Sequence, residues 1–236
     1  MQPVLRGYRL IEKLVEGAAG EVYLATPTTS KPFAGPDDLV AIKIYKDEIL
    51  KEPGQAERMK QEFQVGSTIS HPNVVRIFEY THAEKDQRPY LVMEYIDGIT
   101  LSEWVTLFHP ISDRLLVHMM MQLVKGIGEL HQAGVTHRDI KSQNIMVSSA
   151  FKAKIRDLGV VKEKTEKGIT PPDKFLGTIR NSSPELLQGK QYDNRTDLYS
   201  LGTVLYCLLH GDGLLPVWWT PPYANSACLS NSIGLR

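Results

Sequence analysis

Apolar and polar residues are arranged differently in the two halves of this chain. Short segments at 8–14, 21–26 and 40–45 mix β-branched and aromatic residues with charges and are bounded by Gly, Pro and Asp. That pattern predicts strands. Pro27, Pro32, Gly35 and Pro36 crowd the stretch 26–38, which predicts a loop. Residues 55–70 have helical character, with Met59, Phe63 and Ile69 among charges. His71-Pro72-Asn73 stops that helix, because the residue before a proline avoids the helical region. Strand character returns at 74–80 and 90–95. Beyond residue 100 the spacing changes. Apolar residues fall at 115, 116, 119, 120, 123, 127 and 130, a three-and-four rhythm that makes one stripe on a helix. Gly134 is a natural stop. A second helix is expected over about 195–209, with Gly211 just past it. Strands first and helices second predict a small β-rich part and a larger helical part. The chain contains no internal repeat.

Composition narrows the class. With 236 residues the chain is long enough for one or two domains with a real core. Hydrophobic residues make up 42% and charged residues 23%, an ordinary soluble balance. The formal net charge is zero, so nothing pulls the whole molecule toward nucleic acid or anionic membrane. Two cysteines, Cys207 and Cys228, are too few for a disulfide framework and match no zinc spacing. A reducing, cytoplasmic setting is the expectation. The opening MQPVLRGYRL lacks the apolar core of a signal peptide, and no apolar run reaches the ~18 residues of a membrane span.

Candidate chemistry lies in three strings: VAIK ending at Lys43, HRDIKSQN from His137 to Asn144, and DLG from Asp157. Together with Glu62 they place Lys43, Glu62, Asp139, Lys141, Asn144 and Asp157 in the order used for phosphoryl transfer from ATP. Over roughly residues 8 to 210 the chain resembles a eukaryotic-like serine/threonine protein kinase. The resemblance implies an α+β, protein-kinase-like bilobal fold. Its N-lobe, 1–95, would be an antiparallel β-sheet with one helix. Its C-lobe, 96–211, would be mainly helical and lack its last helices, and 212–236 would be an irregular tail unlike the family.

The resemblance also implies roles. Lys43 would bind the α- and β-phosphates, held by Glu62, which precedes His71 by the family's distance; Glu48, Glu52 and Glu57 fall too early in the helix. Asp139 would accept or orient the substrate hydroxyl proton, and Lys141 would neutralise the transferring phosphoryl group. Asn144 and Asp157 would hold Mg2+. His137 would be a packed imidazole rather than a catalyst. The loop 16–22, with Gly17 and Gly20, would cover the phosphates, its small residues letting backbone amides approach. Met93 would back the adenine pocket, the backbone of Glu94 and Ile96 would hydrogen-bond the adenine edge, and Leu14, Val22, Ala41 and Met146 would sandwich the ring. Residues 157–185 would form an activation segment, with Thr165, Thr170 and Thr178 among lysines and Arg138 able to pair with a phosphate there. Asp197 would reach back to the catalytic-loop backbone as scaffolding. The implied partners are ATP and a protein Ser/Thr substrate, without nucleic acid or a membrane span.

The chain departs from the family pattern at several places. Val15 stands where the first glycine of the loop belongs, and Ala19 replaces the aromatic tip. Ile179 and Asn181 replace the usual proline and tyrosine, which leaves peptide specificity open. Residues 213–235 contain no Asp, Glu, Lys or Arg, where the chain's 23% charge frequency predicts roughly five. Glu185 normally pairs with an arginine from later helices, and after Arg195 the only arginine is Arg236. A truncated kinase domain with a marginal large lobe is the expectation. Two further readings stand beside the active enzyme: a pseudokinase-like module that binds nucleotide or a partner without turnover, and a small-molecule phosphotransferase.

Overall fold

A computed structural model of the chain describes residues 4–17, 20–47, 55–81, 88–158, 181–188 and 190–211. The expectations for Ala18, Ala19, Glu48, Glu52, the activation-segment threonines, Ile179 and 212–236 lie outside them. The chain divides into two compact units, Met1–Asp97 and Gly98–Arg236.

The first unit is built on a six-stranded antiparallel sheet in the order β1-β2-β3-β4-β6-β5. Its strands are β1 (Val4–Leu5), β2 (Tyr8–Glu16), β3 (Gly20–Pro27), β4 (Val40–Tyr45), β5 (Ile77–Thr81) and β6 (Tyr90–Glu94), with helix α1 (Gln55–Gly66) between β4 and β5. Side chains alternate across a strand, so β4 is two-faced. Val40, Ile42 and Ile44 join Tyr8, Leu10, Ala25, Tyr90 and Val92 in one buried cluster. The connection 28–39 folds over this cluster, with Ala34 buried in it and Phe33 stacked on Phe78 at 4.6 Å. Tyr8 is wholly buried and donates its hydroxyl to Glu79 Oε2 at 2.8 Å. Burial, then the carboxylate, push its pKa far up. The opposite face of β4 carries Ala41, Lys43 and Tyr45.

Two boundaries differ from the sequence expectation. Helix α1 stops at Gly66 rather than near 70. The Thr68 amide and hydroxyl both bond Val65 O, at 3.1 and 2.8 Å, so side-chain chemistry ends the helix before its apolar pattern does. Strand β5 begins at Ile77, not 74. Val74 and Val75 are buried, but they follow a turn in which the Val74 amide bonds His71 O at 3.1 Å and the Asn73 amide bonds His71 Nδ1 at 3.2 Å.

The second unit holds β7 (Gly98–Thr100), α2 (Leu101–Phe108), α3 (Asp113–Gln132), a 3-10 turn (Ser142–Asn144), β8 (Ile145–Ser148), β9 (Ala153–Ile155), α4 (Pro184–Leu187) and α5 (Arg195–His210). Its three strands pair in the order β7-β8-β9. Helix α2 buries Leu101, Trp104 and Val105 on one short stripe, and its start is chemically marked. The Thr100 amide bonds Glu103 Oε2 at 2.8 Å and the Glu103 amide bonds Thr100 Oγ1 at 3.2 Å, a capping box. Helix α3 buries Met119, Leu123, Ile127 and Leu130, the centre of the expected stripe, whereas Leu115, Leu116 and Met120 are only half-buried. Gly134 ends α3 with φ 75° and Gly211 follows α5 with φ 88°, both in the region that favours glycine. Helix α5 packs on α3. An antiparallel sheet with one helix, followed by a mainly helical unit, agrees with the expected α+β class. No helix among the described residues is long and apolar enough to cross a membrane. Cys207 is buried and reduced.

Leu123 is fully buried on α3. Leu123→Ala is expected to lower unfolding stability by about 2–5 kcal/mol through lost burial and the cavity left behind, and Thr100→Ala by about 1 kcal/mol through the lost cap. Urea denaturation of the two variants checks both values and their order.

Candidate active site

In the first unit the sheet register collects the candidate nucleotide residues on one face. Lys43 pairs with Val22 across β3–β4, and Ala41 pairs with Met93 across β4–β6. Paired residues share a face, as do residues two apart on one strand. Val22, Ala41, Lys43 and Met93 therefore lie side by side, opposite the buried cluster. The β2–β3 hairpin closes this edge, with the Gly17 amide bonded to Gly20 O at 2.8 Å. Gly20 is required there, since an added Cβ would meet Ile44 O at 2.2 Å. Leu14 and Val15 fall where the β2–β3 register slips, and both are exposed. At the hairpin base Lys13 lies 2.9 Å from Glu16 and 3.0 Å from Glu21, and Lys46 reaches Glu16 at 2.9 Å. The two ammonium groups hold the Glu16 carboxyl down to about 2.

Tyr45, two residues after Lys43 on the same face, was not singled out by the sequence. Lys43 Nζ sits 5.3 Å from the centre of its ring, and its hydroxyl donates to Glu62 Oε2 at 3.4 Å. One buried tyrosine thus touches both the candidate ammonium and its candidate carboxylate. Glu57, the alternative that falls among the described residues, is exposed and pairs loosely with Lys60 at 3.9 Å. The Glu94 amide is committed to Arg76 O at 2.9 Å, and Ile96 is half-buried just beyond β6.

In the second unit HRDIKSQN folds into a loop followed by a 3-10 turn. Asp139 Oδ2 receives Lys141 Nζ at 2.9 Å and Asn144 Nδ2 at 3.0 Å, and Asn144 Nδ2 also donates to the Asp139 carbonyl at 2.8 Å. Asp139 Oδ1 is buried and has no hydrogen-bond partner among the described residues. A buried acceptor left open beside an ammonium group is expensive for folding alone and is the kind of feature a functional site retains. Met146 follows on β8, half-buried.

Asp197 fixes this loop. It lies in the first turn of α5, wholly buried. Its Oδ1 accepts the Arg138 amide at 2.8 Å, and its Oδ2 accepts the His137 amide at 2.8 Å and His131 Nε2 at 2.9 Å. Arg138 has φ 64°, a conformation that costs a long side chain about 1–3 kcal/mol unless its surroundings impose it. The carboxylate imposes it, as the sequence led us to expect of Asp197. His131 carried no local signal, because its partner lies 66 residues further on.

His137 is also wholly buried, and its ring links the loop to the DLG segment. Nδ1 accepts the Asp139 amide at 3.3 Å, so the ring proton sits on Nε2, which donates to Arg156 O at 3.1 Å. Burial pushes the imidazole pKa down, against the opposing pull of the Asp197 carboxylate. The Arg156 amide in turn bonds Asn144 O at 2.9 Å, and its guanidinium bonds Gln143 O at 3.1 Å. These bonds place Asp157 next to the Asn144 turn with φ 55°, its carboxylate 3.6 Å from Arg156 Nε. The Arg138 guanidinium stacks on Tyr192 at 5.1 Å, a second contact the sequence did not reveal.

Two residues around the segment end have definite surroundings. Glu185 is half-buried at the start of α4, while Arg195 at the start of α5 is paired with Asp193 at 2.9 Å. Asn181 is committed to the fold: its Oδ1 accepts Thr203 Oγ1 at 3.2 Å and its carbonyl accepts Ser200 Oγ at 2.7 Å.

Comparison with known proteins agrees with this architecture. The family described as "Protein kinase domain" matches residues 8–220, so the chain belongs to the protein kinase domain family. It is 31% identical over 204 residues to the probable serine/threonine-protein kinase PknB of Lactococcus lactis, covering 86% of this chain and 31% of that protein. It is 33% identical over 204 residues to the serine/threonine-protein kinase PrkC of Bacillus subtilis, covering 86% of this chain and 30% of that protein. The chain thus spans about a third of the length of these curated relatives. The crystal structure of the Mycobacterium tuberculosis PknI kinase domain superposes with a TM-score of 0.68 at 22% identity, covering 89% of this chain and 77% of that one, and shows the shared fold.

A buried imidazole that stays neutral when folded makes stability depend on pH. Below its ordinary value of 6.5 the unfolded chain binds a proton that the folded chain refuses. Unfolded protons exceed folded protons there, so stability falls as pH drops through and below that value, by up to about 1.4 kcal/mol per pH unit. The urea midpoint is expected to drop between about pH 7.5 and about pH 5.5, and to drop less in His137→Gln, which has no proton to take up.

Proposed function

We propose that this chain is the catalytic domain of a serine/threonine protein kinase, transferring the γ-phosphate of MgATP to protein hydroxyls. The observation that carries the reading is the Asp139 carboxylate: Lys141 and Asn144 hold one oxygen while the other is buried with no partner among the described residues. An open acceptor is what a general base needs to take or orient a hydroxyl proton. Lys141 Nζ, 2.9 Å from the same carboxylate, supplies positive charge where charge on the transferring group would develop. The family's shared fold and the names of its relatives support the class.

The residues present fit MgATP. Among the described residues no group of three or more His, Cys, Asp or Glu side chains could hold a metal unaided. Mg2+ favours oxygen ligands and is commonly held by one or two carboxylates together with substrate phosphates. Asn144 and Asp157 offer such oxygens, brought together by the Arg156 amide bond to Asn144 O at 2.9 Å. When bound, the metal would neutralise phosphate charge. Lys43, steadied with Glu62 by Tyr45, would hold the α- and β-phosphates. Val22, Ala41 and Met93 form an apolar strip suited to a purine face, and Leu14 with the hairpin glycines Gly17 and Gly20 would complete the first unit's nucleotide contacts. Any bond from Glu94 to the purine edge would use its carbonyl, because its amide is committed within the sheet; Ile96 would supply the neighbouring backbone contact. A cytoplasmic location of the kinase domain belongs to this reading.

Asp139→Asn keeps the side chain's size and removes the base. ATP-dependent phosphorylation of protein serine and threonine, followed by mass spectrometry, is expected to fall about 10²–10⁴-fold with nucleotide affinity retained. Equal turnover in both proteins removes the kinase reading. Nucleotide binding without turnover in either supports a pseudokinase-like module. Transfer to small alcohols but not to protein supports a small-molecule phosphotransferase.

A further inference from the structure

The mouth of the β2–β3 hairpin carries two carboxylates that face each other. Glu16 and Glu21 are partners in the β2–β3 register, and like charges directly opposite weaken a strand pair. Glu21 also pairs with Ile44, a residue of the buried cluster, so the acidic pair lies on the sheet face opposite Lys43. Protonation does not relieve the repulsion near neutral pH, because the Lys13 and Lys46 ammonium groups hold the Glu16 carboxyl down to about 2. Lys13 also lowers the Glu21 carboxyl.

Cations from neighbouring strands meet this pair, and every carboxylate oxygen has its own bond. Lys13 Nζ donates to Glu16 Oε2 at 2.9 Å and to Glu21 Oε1 at 3.0 Å. Lys46 Nζ, just past β4, donates to Glu16 Oε1 at 2.9 Å. Arg88, ahead of β6, donates through Nη2 to Glu21 Oε2 at 3.3 Å. These bonds tie β2, β3, β4 and β6, which are neighbours in the sheet, together behind the hairpin. Lys13 holds the central place. The β2–β3 register slips between Lys13 and Val15, and the two Lys13 bonds span that slip, one to Glu16 beyond it and one to Glu21 across it. An isolated exposed ion pair contributes little, whereas pairs that share one cation act as a network.

We propose that Lys13 is a positioning residue for the phosphate-covering hairpin: it holds Glu16 against Glu21 and so sets affinity for the phosphates of a nucleotide without touching them. Lys46 and Arg88 support it from the far side of each carboxylate. The inference rests on the MgATP reading of the first unit. Lys13→Met keeps the stem and removes the charge, and calorimetric Kd values for MgATP and for adenosine test it on the full chain. MgATP binding is expected to weaken about 3–10-fold in Lys13→Met, because two linked pairs are lost and the facing carboxylates repel. Adenosine, which has no phosphate for the hairpin to cover, keeps its affinity. Lys46→Met, which releases one oxygen of one carboxylate, weakens MgATP less, and Lys13→Arg restores it. Lys60→Met removes an ammonium from α1, paired there with Glu57, and leaves both affinities as they are, which separates positioning from net charge. A wild-type protein that binds neither ligand removes the nucleotide reading and this inference with it. Where the wild type binds both, three results overturn the inference alone: unchanged MgATP affinity in Lys13→Met, equal weakening of MgATP and adenosine in that variant, or the same loss of MgATP affinity in Lys60→Met.

Discussion

One buried carboxylate organises the chemical half of this molecule. Asp197 has no solvent to satisfy it, so its oxygens must be met by protein donors. The donors come from three places: the last turn of α3 through His131, and the amides of His137 and Arg138. That arrangement joins two helices and a loop at one point. It also imposes the unfavourable φ of Arg138, which sets where the next residue, Asp139, points. Asp197 grips the loop through its backbone amides rather than through the Asp139 side chain. Asp139 can therefore keep one oxygen open without the loop losing its anchor.

A second constraint is the two-sidedness of the first unit's sheet. The residues that build the core and those that face a ligand alternate on β4. Burial of Val40, Ile42 and Ile44 fixes the register, and the register fixes Ala41, Lys43 and Tyr45 on the other side. A slip of one residue would exchange the sets. Packing on one face thus determines the geometry of the other. His137 does similar work in the second unit, where a neutral ring bridges the loop to the Arg156 carbonyl.

Much of this was legible in the chain. The β4 boundaries, both long helices and the order of functional residues follow from periodicity and from strings with a defined mechanism. What escaped was non-local or locally neutral. Helix α2 has only 8 residues, so its stripe of Leu101, Trp104 and Val105 is short beside the capping box that marks its start. Tyr45 reads as one more aromatic in a strand until α1 brings Glu62 against it. His131, Tyr192 and Arg156 acquire meaning only through partners distant in sequence or through backbone groups, which no pattern of residue types displays.

The most direct test of this account is hydrogen exchange at the His137 and Arg138 amides in Asp197→Ala. If the buried carboxylate is the anchor, both amides lose protection while the core of α3 around Leu123 keeps its own. Unchanged protection at those two amides would contradict the account, because something other than Asp197 would then be holding the catalytic loop.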